Sequence, residues 1–191
     1  MNNESHRYLS PDSRQILLQV VRQAIRYRLE TSTALPVEIQ EYPMELQAVR
    51  ASFVTLNRHS MLRGCIGHLE AIRPLVADVA ENAESAAFQD PRFPPMTRDE
   101  LTDLEIHISV LTPSERLQCG SEADLLQQMQ PHRDGLILLE GMHRGTFLPS
   151  VWEQLPEPRD FLRHLKRKAG LPENYWSENI EVFRYETESF S

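Results

Sequence analysis

A ten-residue stretch concentrates the side chains that could do chemistry. Residues 61–70 read MLRGCIGHLE, which puts Cys65 between two glycines, with Arg63 two positions before it and His68 three positions after it. The thiolate is the nucleophilic form of cysteine, and a neighbouring guanidinium favours it. Imidazole is the most common general base. These residue types at this spacing are typical of a cysteine-dependent enzyme, with Cys65 as nucleophile or redox thiol.

Two strands must hold this stretch in place. A β-branched run and the polar loop Asn57–Ser60 come directly before it, and together they predict a hairpin. Alternate side chains of a strand share a face. We therefore expect Leu62 and Ile66 on one face of the second strand, and Arg63 and Cys65 on the other.

Gly64 and Gly67 are poor strand residues, because they add no packing and cost backbone entropy. A glycine inside a strand marks a bulge or a close approach of another backbone. A bulge would free amide groups beside the thiol, where they could stabilise an anion. If the glycines instead mark a close approach, they only allow another segment of the chain to pass beside the strand. Free cysteine is itself among the most buried residue types, so a structural, packed Cys65 is the alternative interpretation.

Two further segments carry candidate site residues. Residues 104–111 alternate between apolar and polar, and His107 lies on the polar side as a base, a ligand or simply an exposed histidine. Residues 88–95 read FQDPRFPP, and three prolines in eight residues force a rigid path. Asp90 and Arg92 in this loop are close enough to pair with each other or to face a ligand.

Composition limits the possible functions. The 191 residues favour one domain, or two lobes that share a core. A formal net charge of -8 argues against general binding to nucleic acid or to acidic membranes. Two cysteines, a start without a signal peptide and no run of membrane-span length predict a cytoplasmic protein. Cys65 and His68 have ligand-like spacing, but without a second close pair of ligands we predict no metal or other cofactor.

The order of the predicted elements is a helix, then strand–strand–helix–strand, then helix, strand–strand, helix and strand. The first helix begins after Ser10, and the last strand covers residues 180–187. Hairpins exclude a purely parallel sheet. Two similar halves therefore predict an α+β fold with mostly antiparallel sheets in two subdomains and an extra N-terminal helix.

Six ordered motifs carry a resemblance to a known family. They are SFVTL at 52–56, LRGCIG at 62–67, DPRFPP at 90–95, ISVL at 108–111, GTFLP at 145–149 and KAGL at 168–171. The chain resembles the AMMECR-type domain family from about residue 15 to its end, and most of all the prokaryotic branch called AmmeMemoRadiSam system protein A. Ala51 and His132 stand where relatives often have glycine, and His68 is not a fixed part of the signature.

The resemblance implies duplicated β-α-β-β units in a single domain over residues 1–191, for which we expect a weakly ordered start at 1–9. It also implies a cleft near the signature, and genomic neighbours that are a Memo-like protein and a radical-SAM protein. It supplies no reaction. One hypothesis is an enzyme that uses Cys65 on a small or anionic substrate. The other is a non-catalytic partner or carrier module that binds those two proteins.

In the enzyme hypothesis, Arg63 holds the anion or the thiolate, and His107 or His68 acts as the base. The amides of Gly64 and Gly67 stabilise a developing negative charge. In the module hypothesis, the rigid loop that contains Asp90 and Arg92 is a docking element that costs little entropy to order.

Overall fold

The computed structural model describes residues 8–191 and divides them into two compact units. The first unit contains the described residues up to Leu111 together with Glu188–Ser191, and the second is Thr112–Thr187. Most of the start for which weak order is predicted, residues 1–7, lies outside the described residues. Leu9, at the end of that start, is buried and donates its amide to Glu188 Oε2 at 2.9 Å.

Five helices and eight strands cover most of the described chain. The helices are α1 (Pro11–Thr31), α2 (Met44–Gln47), α3 (Leu75–Phe88), α4 (Glu122–Gln128) and α5 (Pro158–Lys168). The strands are β1 (Ser52–Arg58), β2 (Met61–Gly67), β3 (Leu104–Leu111), β4 (Glu115–Leu117), β5 (Gly135–Glu140), β6 (His143–Phe147), β7 (Glu181–Tyr185) and β8 (Thr187–Phe190). No helix within residues 8–191 is long and apolar enough to cross a membrane.

The first unit is a four-stranded sheet in the order β2-β1-β3-β8, with α1 and α3 packed on one face. α1 begins where the sequence predicts, because Ser10 Oγ accepts the amide of Ser13 and proline occupies the first turn. The apolar side of β1, Val54 and Leu56, is fully buried beneath the helices. The opposite face of this sheet is polar, and β2 forms one edge.

The β1–β2 hairpin differs from its prediction in two ways. Its turn is shorter than the predicted loop, because His59 and Ser60 both take left-handed backbone angles that close a two-residue turn. The register also shifts, so that Asn57 opposes Leu62 whereas Leu56 opposes Gly64. Arg63 is therefore an extra, bulged residue. The prediction that Leu62 and Ile66 share a face was wrong, because the bulge turns Leu62 to the polar face.

The second unit is a four-stranded sheet in the order β4-β7-β5-β6, with its own core around Trp152 and Phe161 of the adjoining helical segments. The predicted last strand at 180–187 is in fact two strands. β7 pairs within this second sheet, and β8 pairs with β3 in the first sheet. The α+β class, two antiparallel sheets and an N-terminal helix are confirmed.

Candidate functional site

Cys65 lies in β2, at the edge of the first sheet, and its backbone is hydrogen-bonded to a loop rather than to a strand. Its amide donates to Asp90 Oδ2 at 2.9 Å, and its carbonyl oxygen accepts from Arg92 Nη2 at 3.3 Å. Because these groups point away from β1, Cys65 and Thr55 form the closely spaced, non-hydrogen-bonded type of cross-strand pair. Accordingly, the Cys65 Sγ lies 3.2 Å from Thr55 Oγ1.

Asp90 is the centre of this clamp. Its carboxylate is 3% exposed and accepts four hydrogen bonds, from the Cys65 amide and from the Nε, Nη2 and amide groups of Arg92. The guanidinium of Arg92, followed by the two backbone amides, holds the pKa of the Asp90 carboxyl far below its usual range. Asp90 is therefore a permanent anion at neutral pH.

Arg92 completes the clamp and also faces solvent. Its side chain is 53% exposed, and its guanidinium lies 5.6 Å from the centre of the Phe93 ring. The hydrogen bond to Asp90 raises the pKa of Arg92 above its ordinary value. The sequence left open whether Asp90 and Arg92 pair or face a ligand. In the structure they pair with each other, and Arg92 keeps an exposed cationic surface beside Cys65.

Arg63 forms an ion pair with a different acidic residue, Glu100. Its Nε and Nη2 donate to the two carboxylate oxygens of Glu100 at 2.6 and 3.1 Å, and Nη2 also donates to the Pro94 carbonyl at 2.9 Å. The Arg63 hydrogen bonds, followed by the Thr97 amide, lower the pKa of Glu100 to about 2. This bidentate pair anchors the bulge of β2 to the segment after the proline-rich loop. The structure therefore places Arg63 in an ion pair with Glu100, whereas the sequence suggested that it serves the thiolate.

The two glycines of the signature permit close packing. A Cβ atom on Gly64 would collide with the carbonyl oxygen of Ala86 in α3, and one on Gly67 would collide with the Ser52 carbonyl oxygen and the Phe53 ring. The structure thus shows the close approach that the sequence offered as one of two explanations. The amide between the glycines, that of Cys65, is already donated to Asp90.

His68 lies on the opposite face of β2 from Cys65, because Gly64 and Ile66 point towards α3 and the core. Its Nε2 is 2.7 Å from Oδ1 of Asp78, a fully buried residue of α3. The other oxygen of Asp78 accepts from Ser52 Oγ at 2.6 Å and from Asn82 Nδ2 at 3.0 Å. Burial raises the pKa of the Asp78 carboxyl despite these donors. The structure therefore does not bring His68 and Cys65 together.

His107 does share the polar face with Cys65. Thr55 opposes Cys65 on one side and His107 on the other, so the three residues form a row across β2, β1 and β3. Two strand spacings separate the outer residues by about 10 Å between Cα atoms. His107 is exposed, and Thr55 lies between it and the thiol. A direct hydrogen bond between this imidazole and Sγ is therefore not part of the site.

Sequence reasoning missed the groups that contact the candidates most closely. These are Thr55 at the thiol, and Asp78, Asn82 and Ser52 behind His68. Asp78 and Asn82 are one helical turn apart in the otherwise apolar stripe of α3, and two polar residues in a buried stripe are a signal that could have found them. Within residues 8–191, no three histidine, cysteine or acidic side chains are arranged to hold a metal ion.

Comparison with known proteins places the chain among uncharacterised relatives. The sequence matches the AMMECR1 family over residues 18–190. A protein of Methanopyrus kandleri is 37% identical over 95% of this chain and 89% of that protein, and one of Thermotoga maritima is 39% identical over 79% and 83%. The crystal structure of an uncharacterized protein from Pyrococcus horikoshii has a TM-score of 0.75 and 34% identity, and covers 95% of this chain and 92% of that one.

Proposed function

The chain belongs to the AMMECR1 family, and we propose that it is a cysteine-dependent enzyme whose site is Cys65 on the polar face of the first sheet. The observation that carries this proposal is the clamp on the Cys65 backbone. Asp90 and Arg92 bind its amide and its carbonyl, while its thiol projects to the face that the helices leave uncovered. A nucleophile must be held in place in this way if it is to meet a substrate in one orientation.

Each neighbouring group has a role in this proposal. Cys65 is the nucleophile, and the hydroxyl of Thr55 positions its sulfur. Arg92 takes the role that the sequence suggested for Arg63, because it alone of the two is largely exposed. Its positive charge beside the thiol favours a small anionic substrate. His107 on the same face is the base, and it would reach the reacting group through the substrate or a water molecule rather than through Sγ directly.

The proposal extends to the pathway. The family resemblance implies a Memo-like protein and a radical-SAM protein as genomic neighbours, and we place the reaction of this chain in a common pathway with them. The substrate would then be a small molecule that one neighbour makes or the other consumes.

Alkylation of the two cysteines tests the proposal. Cys119 is an internal reference, because burial, followed by the nearby Asp124, raises the pKa of its thiol and makes it a poor nucleophile. We expect iodoacetamide at neutral pH to modify Cys65 faster than Cys119, as read by peptide mass spectrometry. Thr55→Val should change the rate at Cys65, whereas Thr55→Ser, which keeps the hydroxyl, should not. A Cys65 that reacts no faster than Cys119 in folded protein would contradict a site thiol.

The second candidate function is a partner module, and the proline-rich loop favours it. The clamp that holds Cys65 also holds the loop, so Arg92 and the exposed Pro91, Pro94 and Pro95 form a rigid surface. A rigid surface loses little entropy when it binds another protein. In this reading the loop docks onto the Memo-like or radical-SAM neighbour and Cys65 does no chemistry.

Co-purification with the two neighbouring gene products separates the candidates. The module reading expects both Arg92→Ala and the exposed-site change Pro94→Ala to reduce capture, and Cys65→Ser to leave it unchanged. The enzyme reading expects Cys65→Ser to abolish the pathway's activity in cells without any effect on capture. Absence of capture by wild-type protein at low salt would remove the module reading.

A further inference from the structure

The face of β2 that points to α3 carries a second group of side chains, which the proposed thiol chemistry does not use. His68 reaches this face at the end of β2, and 31% of its side chain is exposed. Behind it, Asp78 has no exposed surface. Ser52 and Asn82 both donate to Oδ2 of that carboxylate, and Asn82 also donates to the Ser52 carbonyl oxygen at 3.1 Å. The carboxylate is therefore held in one orientation.

The other oxygen of Asp78, Oδ1, has no hydrogen bond. Oδ1 is 2.7 Å from His68 Nε2 and 3.8 Å from Arg73 Nε, but neither the carboxylate oxygen nor the ring nitrogen has a partner with hydrogen-bond alignment. A buried carboxylate oxygen is costly unless a cation or a donor compensates it. Its neighbours here are one imidazole and one guanidinium.

This arrangement sets the tautomer of the imidazole. A carboxylate that contacts Nε2 favours the proton on that nitrogen, which leaves the lone pair on Nδ1. Asp78 also stabilises the positive charge that the ring acquires when Nδ1 forms a new bond. A histidine whose Nε2 is buried against an acid while 31% of its side chain is exposed is an oriented nucleophile.

We propose that His68 is a modification site that accepts a phosphoryl group on Nδ1 from a small phosphoryl donor. With phosphoramidate as the donor, the leaving nitrogen already carries three protons at neutral pH. The Nδ1 lone pair forms the new N–P bond, the bond from phosphorus to that nitrogen breaks, and its electron pair leaves with neutral ammonia. The proton on Nε2 stays there and is held by Asp78. Arg73 is the cation beside the site. The acidic groups on the adjoining segments are Glu81, which Arg73 already engages, and Glu70.

This site is independent of the thiol proposal, since it lies on the other face of β2 and uses none of the groups around Cys65. The chain also contains its own controls. His59 and His107 are exposed histidines without a buried carboxylate behind them. A reagent that simply follows exposure would modify these two first.

The test is phosphorylation of the full chain by phosphoramidate, followed over time by peptide mass spectrometry under conditions that preserve phosphohistidine. We expect His68 to be labelled about tenfold faster than His107 or His59, because the tautomer and orientation of its ring are fixed. Asp78→Asn should remove that advantage while the rates at His59 and His107 stay unchanged. His68→Gln should remove the labelled peptide altogether.

Two outcomes would overturn the proposal. One is a His68 labelling rate in wild-type protein no greater than that of His107. The other is an unchanged His68 rate in folded Asp78→Asn, with folding checked by circular dichroism. If Asp78→Asn does not fold, Ser52→Ala replaces it, because it removes the 2.6 Å hydrogen bond that orients the carboxylate and should also slow labelling at His68.

Discussion

Cys65 and His68, on opposite faces of β2, each contact a buried carboxylate, and the two carboxylates behave oppositely. Asp90 is 3% exposed and Asp78 has no exposed surface, yet the pKa of Asp90 is lowered and that of Asp78 is raised. Asp90 binds the guanidinium of Arg92 through both oxygens, whereas Asp78 is fixed chiefly by the neutral donors of Ser52 and Asn82. At Asp90 the charged partner outweighs burial and favours the anion, whereas at Asp78 burial outweighs the neutral donors and favours the protonated form.

This difference separates two roles. The Asp90 clamp holds the backbone of an edge strand with charge-assisted hydrogen bonds, so it stabilises the fold at neutral pH. Burial disfavours the charged form of Asp78, so this carboxylate lowers the stability of the folded state at neutral pH. A carboxyl group whose pKa is raised by burial, as at Asp78, is a candidate for a functional rather than a structural role.

The largest expected effect comes from the glycine that lets β2 lie directly against α3. Gly64→Ala would drive a methyl group into the backbone carbonyl of Ala86, and neither backbone can move away cheaply. We expect the free energy of unfolding to fall by more than about 3 kcal/mol. Amide hydrogen exchange, read by mass spectrometry on peptides from β2 and α3, should become faster in both segments.

Gly120→Ala is the matched control for this substitution. A Cβ on Gly120 would make an ordinary contact with Asp124 Oδ2 at 3.5 Å, so the change should stay within about 0.5 kcal/mol. A tolerated Gly64→Ala, with exchange in β2 unchanged, would mean that β2 and α3 are not packed as closely as described.

The neutral variants of the two carboxylates should differ in sign or size at pH 7. Asp90→Asn loses a charge that its surroundings favour, and we expect a loss of about 1.5–3 kcal/mol in the free energy of unfolding. Asp78→Asn removes a charge that burial penalises while the amide oxygen still accepts from Ser52, so the change should stay within about 1 kcal/mol. Urea unfolding followed by far-ultraviolet circular dichroism measures both.

Tryptophan fluorescence provides a control for the unfolding of the Asp90→Asn and Asp78→Asn variants. Both Trp152 and Trp176 lie in the second unit, so their fluorescence reports a region that neither substitution touches. If Asp78→Asn costs as much as Asp90→Asn, the contrast between the two carboxylates fails.

The pH dependence of these variants is the smallest and most specific effect. A lowered folded pKa means that the stabilisation from Asp90 is complete above about pH 4 and is lost as the pH falls further. Glu100, with a folded pKa of about 2, behaves in the same way. The raised pKa of Asp78 has the opposite sign, because the folded state then binds the proton more tightly and stability falls as the pH rises above about 4.

Unfolding between pH 3 and pH 7 should therefore show two opposite trends. As the pH falls, the free energy of unfolding of wild type should approach that of Asp90→Asn. Over the same range it should rise relative to that of Asp78→Asn. Trends of the same sign for the two variants would contradict the opposite pKa shifts of the two carboxyl groups.

Much of the fold follows from local patterns. The strict alternation of residues 104–111 makes one half-buried strand, and a hydroxyl before a proline at Ser10 starts the first helix. The final strand was predicted as one element over residues 180–187 because its alternation is continuous. Its division into β7 and β8 depends on which sheet offers a hydrogen-bonding edge at each half, and no local pattern records that.

The candidate site could be predicted only in part. The signature identified Cys65, and the rigid loop identified Asp90 and Arg92 as neighbours of each other. The sequence could not show that this pair binds the backbone of Cys65, 25 and 27 positions away along the chain. Nor could it show Thr55 against the sulfur, because that contact depends on which cross-strand pairs are hydrogen-bonded.

The sequence by itself determined most of the elements, the family and the residues worth testing, because periodicity, caps and motifs act over a few neighbouring residues. Tertiary structure decided what each of those residues does. The bulge at Arg63 turned Leu62 to the polar face, the guanidinium of Arg63 went to Glu100, and His68 was paired with Asp78 on the far side of β2. Charge and orientation at a site depend on partners that only the folded chain brings together.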